Sequence, residues 1–159
     1  MEELVNDPEV IAPVESTLVA SRALLGIVAR SVASALEVVT LPQFRVLVLL
    51  STGGPTRVGT LAEQVGAVPS TFSRSVDRMV AGGWVERSLR ESNRREIILN
   101  LTPDGRHLVD SVTERRRHEI RDVLKTMSPE DQQTIASAFH LFTAAAGEPT
   151  VADLLTLGL

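Results

Sequence analysis

Three observations predict a mainly α fold carrying one small antiparallel β-hairpin. Apolar residues recur every three or four positions through most of the 159 residues, the mark of amphipathic helices. Alternation is confined to one stretch, Glu96 to Thr102, with Ile97, Leu99 and Leu101 on one face and Glu96, Ile98 and Asn100 on the other. A period of two marks a half-buried strand. Prolines and glycines at Pro42, Gly53-Gly54-Pro55, Gly66, Gly82-Gly83 and Pro103 punctuate the chain into short elements.

The first helix is expected from Pro13 to about Val39, on Val14, Leu18, Leu25, Val28, Val32 and Leu36, ended by the Thr40-Leu41-Pro42 break. Gln43 to Ser51 reads as a second, strongly apolar helix. Val58 to Val65 reads as a third, with Leu61, Ala62 and Val65 facing inward. After a turn at Gly66, Pro69 suits the first position of a fourth helix that runs to Ala81. Gly82-Gly83 supplies the left-handed residue that stops it. Trp84 to Leu89 is short, rich in bulky residues and forms the first strand; Arg90 to Arg95 is a basic loop, and the alternating run is the second strand. Thr102-Pro103 caps a fifth helix with Leu108, Val109, Val112, Ile120, Val123, Leu124 and Met127 as apolar positions. Ser128-Pro129 opens a sixth, with Asp131 near a capping-box position and a stripe of Ile135, Ala138, Phe139 and Phe142. The tail after Gly147 is short and apolar. No repeat or low-complexity linker divides the chain, so one domain is expected.

Composition narrows the possible functions. At 43% hydrophobic and 23% charged residues the chain has the balance of a soluble globular protein. It has no cysteine, hence no disulfide framework, thiolate metal site or thiol redox switch. Met1 to Pro13 is acidic and lacks the pattern of a secretory signal. No uninterrupted apolar stretch approaches the roughly 20 residues of a membrane helix. A cytoplasmic location without membrane association is therefore expected. The net charge of −4 is unevenly spread: Arg57 to Arg106 holds eight arginines against six acidic residues. A basic segment within an acidic protein gives a local electrostatic footprint for a polyanion.

That basic segment coincides with a helix-turn-helix formed by the third helix, the Gly66 turn and the fourth helix. In this motif the N-terminal residues of the second helix meet base edges in the major groove. Here they are Ser70, Thr71, Ser73 and Arg74, followed one turn later by Arg78. The serines and threonine are short hydrogen-bonding groups near a helix N-terminus, and Arg74 is long enough to reach guanine or phosphate. The alternative for Ser70 and Thr71 is helix capping; for Arg74 and Arg78 it is solvent or a pair with Asp77. Phe72, Val76, Met79 and Val80 form the inward stripe. The hairpin adds Arg90, Arg94 and Arg95 at its tip, shaped to lie against phosphates and push an arginine into a minor groove. Double-stranded DNA is the partner these residues point to. The flanking helices carry more apolar stripe than one small module needs, which suggests pairing with a second copy.

Assembled, these residues resemble the MarR family, the multiple antibiotic resistance type of winged helix-turn-helix regulator. The resemblance is densest from Thr40 to Arg106. It rests on Leu41-Pro42-Gln43-Phe44, on Leu61-Ala62, on Pro69-Ser70-Thr71-Phe72-Ser73-Arg74-Ser75-Val76-Asp77-Arg78-Met79, and on Gly83-Trp84-Val85-Glu86-Arg87. Asn93-Arg94-Arg95 and Leu101-Thr102-Pro103-Asp104-Gly105 complete it. The resemblance implies a homodimer held by residues 13–39 and 103–159, with 42–102 as the winged helix-turn-helix lobe. Two recognition helices would enter successive major grooves of a pseudo-palindromic site, with Arg95 at each wing reaching the minor groove. The sequence departs from the family at Asn93, where Asp is usual, and at Val68 in the cap position. The resemblance further implies a repressor released by a small lipophilic or phenolic ligand bound between the dimer region and the lobe; Phe44 and Arg45 lie in that region, with a core position the alternative for Phe44. It implies no cofactor.

Other classes find less support. His107, His118 and His140 are scattered over helices without a metal-binding or H-E-x-x-H spacing, and no nucleophile elbow or P-loop occurs. A catalytic role is not expected. The remaining alternative is a winged-helix dimer acting through protein–protein contacts, for which Arg115, Arg116, Arg117 and Arg121 offer a surface. Glu114, Glu119 and Asp122 share that helix, so a solvated charge network is the simpler expectation.

Overall fold

The structure is a computed structural model that describes residues 8–90 and 93–147, the side chains of residues 8–11, 90 and 93–95 excepted. Among the described residues six α-helices and three strands follow one another as α1 (Pro8–Val32), α2 (Leu41–Gly53), β1 (Thr56–Arg57), α3 (Val58–Val65), α4 (Pro69–Ala81), β2 (Val85–Arg90), β3 (Asn93–Leu101), α5 (Pro103–Leu124) and α6 (Pro129–Ala145). The expected mainly helical fold with a small antiparallel β element is thus the observed one.

Local chemistry explains most of the boundaries. The α2 N-terminus is a capping box: the Gln43 N–H donates to the Thr40 hydroxyl at 3.4 Å, and the Thr40 N–H donates to the Gln43 side-chain oxygen at 2.8 Å. This satisfies two amide donors that the first helical turn leaves without partners. The expected break at Thr40-Leu41-Pro42 is therefore also a start. Thr102 and Ser128 cap α5 and α6 through Gly105 and Asp131, at 3.0 and 3.1 Å. Gly66 ends α3 with φ of 66°, and Gly83 follows α4 with φ of 76°, conformations that a Cβ would disfavour.

Three expectations need correction. The first helix does not run to Val39; it ends at Val32, and a 3-10 turn spans Ala35–Glu37. That tighter turn places Ala35 and Val39 in the core, and core packing outweighs helical continuation. The strand pair is a three-stranded sheet of order β1-β3-β2, with Thr56 opposite Leu99 and Arg57 opposite Ile98. A two-residue strand carries no readable period. Finally, β2 and β3 extend into the supposed Arg90–Arg95 loop, with a register shift after Leu89. Main-chain pairing continues there without an apolar face to announce it.

The core lies where α2, α3, α4 and α5 cover the sheet. Leu47, Leu50, Leu61, Val76, Met79, Leu99 and Val112 are fully buried, and each contributes about 1.5–3 kcal/mol by leaving water. Packing differs at the chain ends. Among the described side chains of α1 only Ile27, Ser31 and Val32 are buried, while Val14, Leu18, Val19 and Leu25 are exposed. No residue of α6 is buried. Ala12–Val32 is also 21 residues long and apolar enough, by length and composition, to cross a membrane. Glu15, Arg22 and Arg30 interrupt this stretch, so it shows no uninterrupted apolar run.

α1 and the turn that follows it are nevertheless tied to α5 by polar contacts. The Arg30 guanidinium meets the Glu119 carboxylate at 2.7 Å, Arg116 donates to the buried Ser31 hydroxyl at 3.3 Å, and Arg115 donates to Ser34. The expected solvated network on α5 is thus partly an inter-helix seam. Arg117–Glu114, His118–Asp122 and Lys125–Asp122 remain local to the helix.

Candidate nucleic-acid interface

Helix α4 has two faces of opposite character. Phe72, Val76 and Met79, spaced by four and three residues, are buried. Ser70, Thr71, Ser73, Arg74 and Arg78 lie together in solvent on the rest of the surface. The buried stripe locks the rotation of the helix, so what it presents outward is preset. The turn that delivers α4 is equally defined: the N–H groups of Gly66 and Ala67 donate to Glu63 and Ala62 carbonyls at 3.1 and 2.9 Å. Val68 occupies the cap position and offers no side-chain acceptor. Neither Ser70 nor Thr71 caps the helix, and their hydroxyls stay on its exposed surface.

Among the described residues, Arg74 and Arg78 form no ion pair. Asp77, the partner considered for them, instead meets Arg87 of β2 at 2.5 Å. This surface pair ties the sheet to the outside of α4. Arg57 similarly lies 3.6 Å from Glu96. Those two arginines carry neighbouring carboxylates; Arg74 and Arg78 do not.

The strand pair projects beside α4 and is anchored at its base by Thr102. The Thr102 hydroxyl lies 2.6 Å from the Gly83 carbonyl and 3.0 Å from that of Trp84, and accepts the Gly105 N–H. A Cβ on Gly105 would stand 2.1 Å from the Trp84 carbonyl oxygen, so glycine is what lets α5 approach the start of β2. Farther out, the Asn100 amide donates to Ser88 at 3.0 Å across the strands. Arg90 ends β2, and Arg94 and Arg95 lie near the start of β3, which puts their backbone at the far end of the hairpin. The side chains of Arg90, Arg94 and Arg95 lie outside the described residues.

One further arginine borders this surface from another helix. Arg45 is exposed between buried Phe44 and Val46 on α2. It lines a groove of about 830 Å³ together with Thr71, Arg74, Ser75 and Arg78 of α4, over a floor that includes Phe44 and Phe72. The signal was present in the sequence: a charged residue inside a strongly apolar helix must point away from the core.

A helix-turn-helix with an adjoining sheet, its recognition face in solvent, defines a winged helix-turn-helix protein. Residues 39–97 match the model of the MarR family. The chain is similar to the crystal structure of RV1404 from Mycobacterium tuberculosis, at 40% identity, covering 89% of this chain and 97% of that one, with a TM-score of 0.81. It is also similar to the transcriptional regulator Tm0710 from Thermotoga maritima, at 25% identity over 84% and 94% of the two chains, with a TM-score of 0.71. The HTH-type transcriptional regulator YfiV of Bacillus subtilis is 29% identical over 106 residues, which span 67% of this chain and 66% of that protein, just under two thirds of its length. The chain belongs to the MarR family of transcriptional regulators.

Proposed function

We propose that two copies of this chain bind a pseudo-palindromic DNA site and regulate transcription from it, as a repressor released by a small lipophilic or phenolic ligand. Residues 42–102 serve as the DNA-binding lobe, and residues 13–39 and 103–159 as the dimerisation region. The carrying observation is the exposed Ser70, Thr71, Ser73, Arg74 and Arg78 surface on a helix whose opposite face is locked in the core. Hydroxyls and guanidinium groups at the start of such a helix suit base edges and phosphates. The adjoining hairpin brings Arg90, Arg94 and Arg95 toward the minor groove.

Dimerisation is supported by the apolar surface left uncovered on α1 and α6, where Leu25 is 66% and Leu141 70% exposed. Exposed apolar side chains grouped on a helix face mark an interaction surface. Ligand release is supported by the groove between α2 and α4. A lipophilic molecule on its Phe44 and Phe72 floor would meet residues that also face the duplex, so occupancy and DNA binding would compete.

Selection of bound duplexes from a random pool tests the reading. The expected product is a motif with two-fold symmetry and half-sites about one helical turn apart. Recovery of no enriched sequence, with equal retention of every duplex, would overturn specific recognition.

A further inference from the structure

We propose that Arg45 contacts a backbone phosphate, acting with Arg74 and Arg78 to seat the DNA strand that flanks the major groove entered by α4. The inference rests on the DNA-binding reading above and adds a residue from α2, outside the helix-turn-helix itself.

The charge of the groove carries the argument. Arg45, Arg74 and Arg78 line it, and no aspartate or glutamate does. None of the three forms an ion pair among the described residues. Three uncompensated guanidinium groups gathered in an acidic protein repel one another unless an anion lies between them. One small monovalent anion would leave two charges unmatched. A DNA strand supplies successive phosphates along its length and matches all three.

Preorganisation adds to this. The Cα of Arg45 is held by buried neighbours on both sides and by the capping box at the start of α2. Only the side chain must be ordered on binding, which keeps the entropic cost low. Thr71 and Ser75 of α4 add hydroxyl donors to the same groove. Arginine suits this role because its planar fork donates two parallel hydrogen bonds to phosphate.

The test measures affinity for a selected duplex from 50 to 200 mM salt with wild type, Arg45→Ala and Arg45→Lys. Each phosphate contact contributes about 0.9 to the slope of log K against log salt. Arg45→Ala is expected to lower the slope by about 0.9 per bound protomer, or roughly 1.8 for a dimer. Its affinity defect then shrinks roughly tenfold across that range, with the ranking of duplex sequences unchanged. Arg45→Lys keeps the positive charge, retains the wild-type slope and shows that the position tolerates substitution. Arg45→Ala with wild-type affinity and slope would overturn the assignment, as would a change in sequence ranking, which would make Arg45 a base reader. Failure of the wild type to prefer any duplex would instead remove the parent reading.

Discussion

At the scale of single residues, the outward surface of α4 and the tip of the hairpin divide the work expected of a DNA reader. Arg74 stands on a helix fixed in rotation by Phe72, Val76 and Met79, so its reach is set by the core beneath it. Arg95 stands near the start of β3, far from that core, and its role depends on the hairpin's reach. The double variant Arg74→Ala plus Arg95→Ala is expected to weaken cognate binding by about 1–3 kcal/mol per side chain, read by fluorescence anisotropy. Arg74→Ala alone should leave thermal stability close to wild type, because Arg74 holds no ion pair among the described residues. Unchanged affinity would discard both assignments. Asp77 shows how a single contact alters a sequence-based expectation. It lies one turn from Arg74 along the helix, yet it pairs with Arg87 from another element.

At the scale of elements, the hairpin works only if its base is fixed to the rest of the lobe. Thr102 and Gly105 provide that joint, one by hydrogen bonds to Gly83 and Trp84, the other by having no side chain. Gly105→Ala is expected to destabilise the fold by about 2–3 kcal/mol or more, since the obstructing atom is backbone and cannot rotate away. Gly59→Ala is the matched control: its Cβ would meet nothing within 4 Å. There the replacement is expected to be neutral or to stabilise by about 0.5–1 kcal/mol, as alanine favours a helix. Chemical denaturation of the two variants compares them directly, and equal effects would refute the joint. The elements most legible from sequence were those with chemical punctuation. Helices α3 and α4 were expected at the observed limits, because Gly66, Pro69 and Gly82 bracket them. The short β1 was not legible, since its two residues become a strand only by pairing with β3.

At the scale of the whole molecule, the core lies in the centre of the chain, while α1 and α6 are sparsely covered among the described residues. Ile27 is buried in α1, but Leu25 and Val28 beside it are exposed, and Phe139, Leu141 and Phe142 are exposed on α6. A groove of about 490 Å³ runs between α1, α5 and α6, lined by Leu24, Ile27, Val123, Leu124, Ile135 and Phe139 among others. A second copy is the occupant we propose for this region. Leu141→Glu with Phe142→Glu is expected to shift the protein from dimer to monomer in sedimentation velocity and to abolish tight operator binding. A wild type that sediments as a monomer at micromolar concentration would refute the dimer. The exposed apolar residues of α1 are also what let it satisfy the length and composition of a membrane helix.

What the sequence determined by itself was local: helix periods, caps and turns depend on neighbouring residues, and so does the set of polar side chains opposite a buried stripe. On that basis Ser70, Thr71, Ser73, Arg74 and Arg78 could be named before any coordinates, and the structure places all five in solvent. What only the tertiary structure decided were meetings between distant segments. Arg30 with Glu119, Arg87 with Asp77, β1 with β3, and Arg45 beside Arg74 and Arg78 belong to this class. Such pairings leave no periodic trace in the chain, because the residues become neighbours only once the core has closed between them.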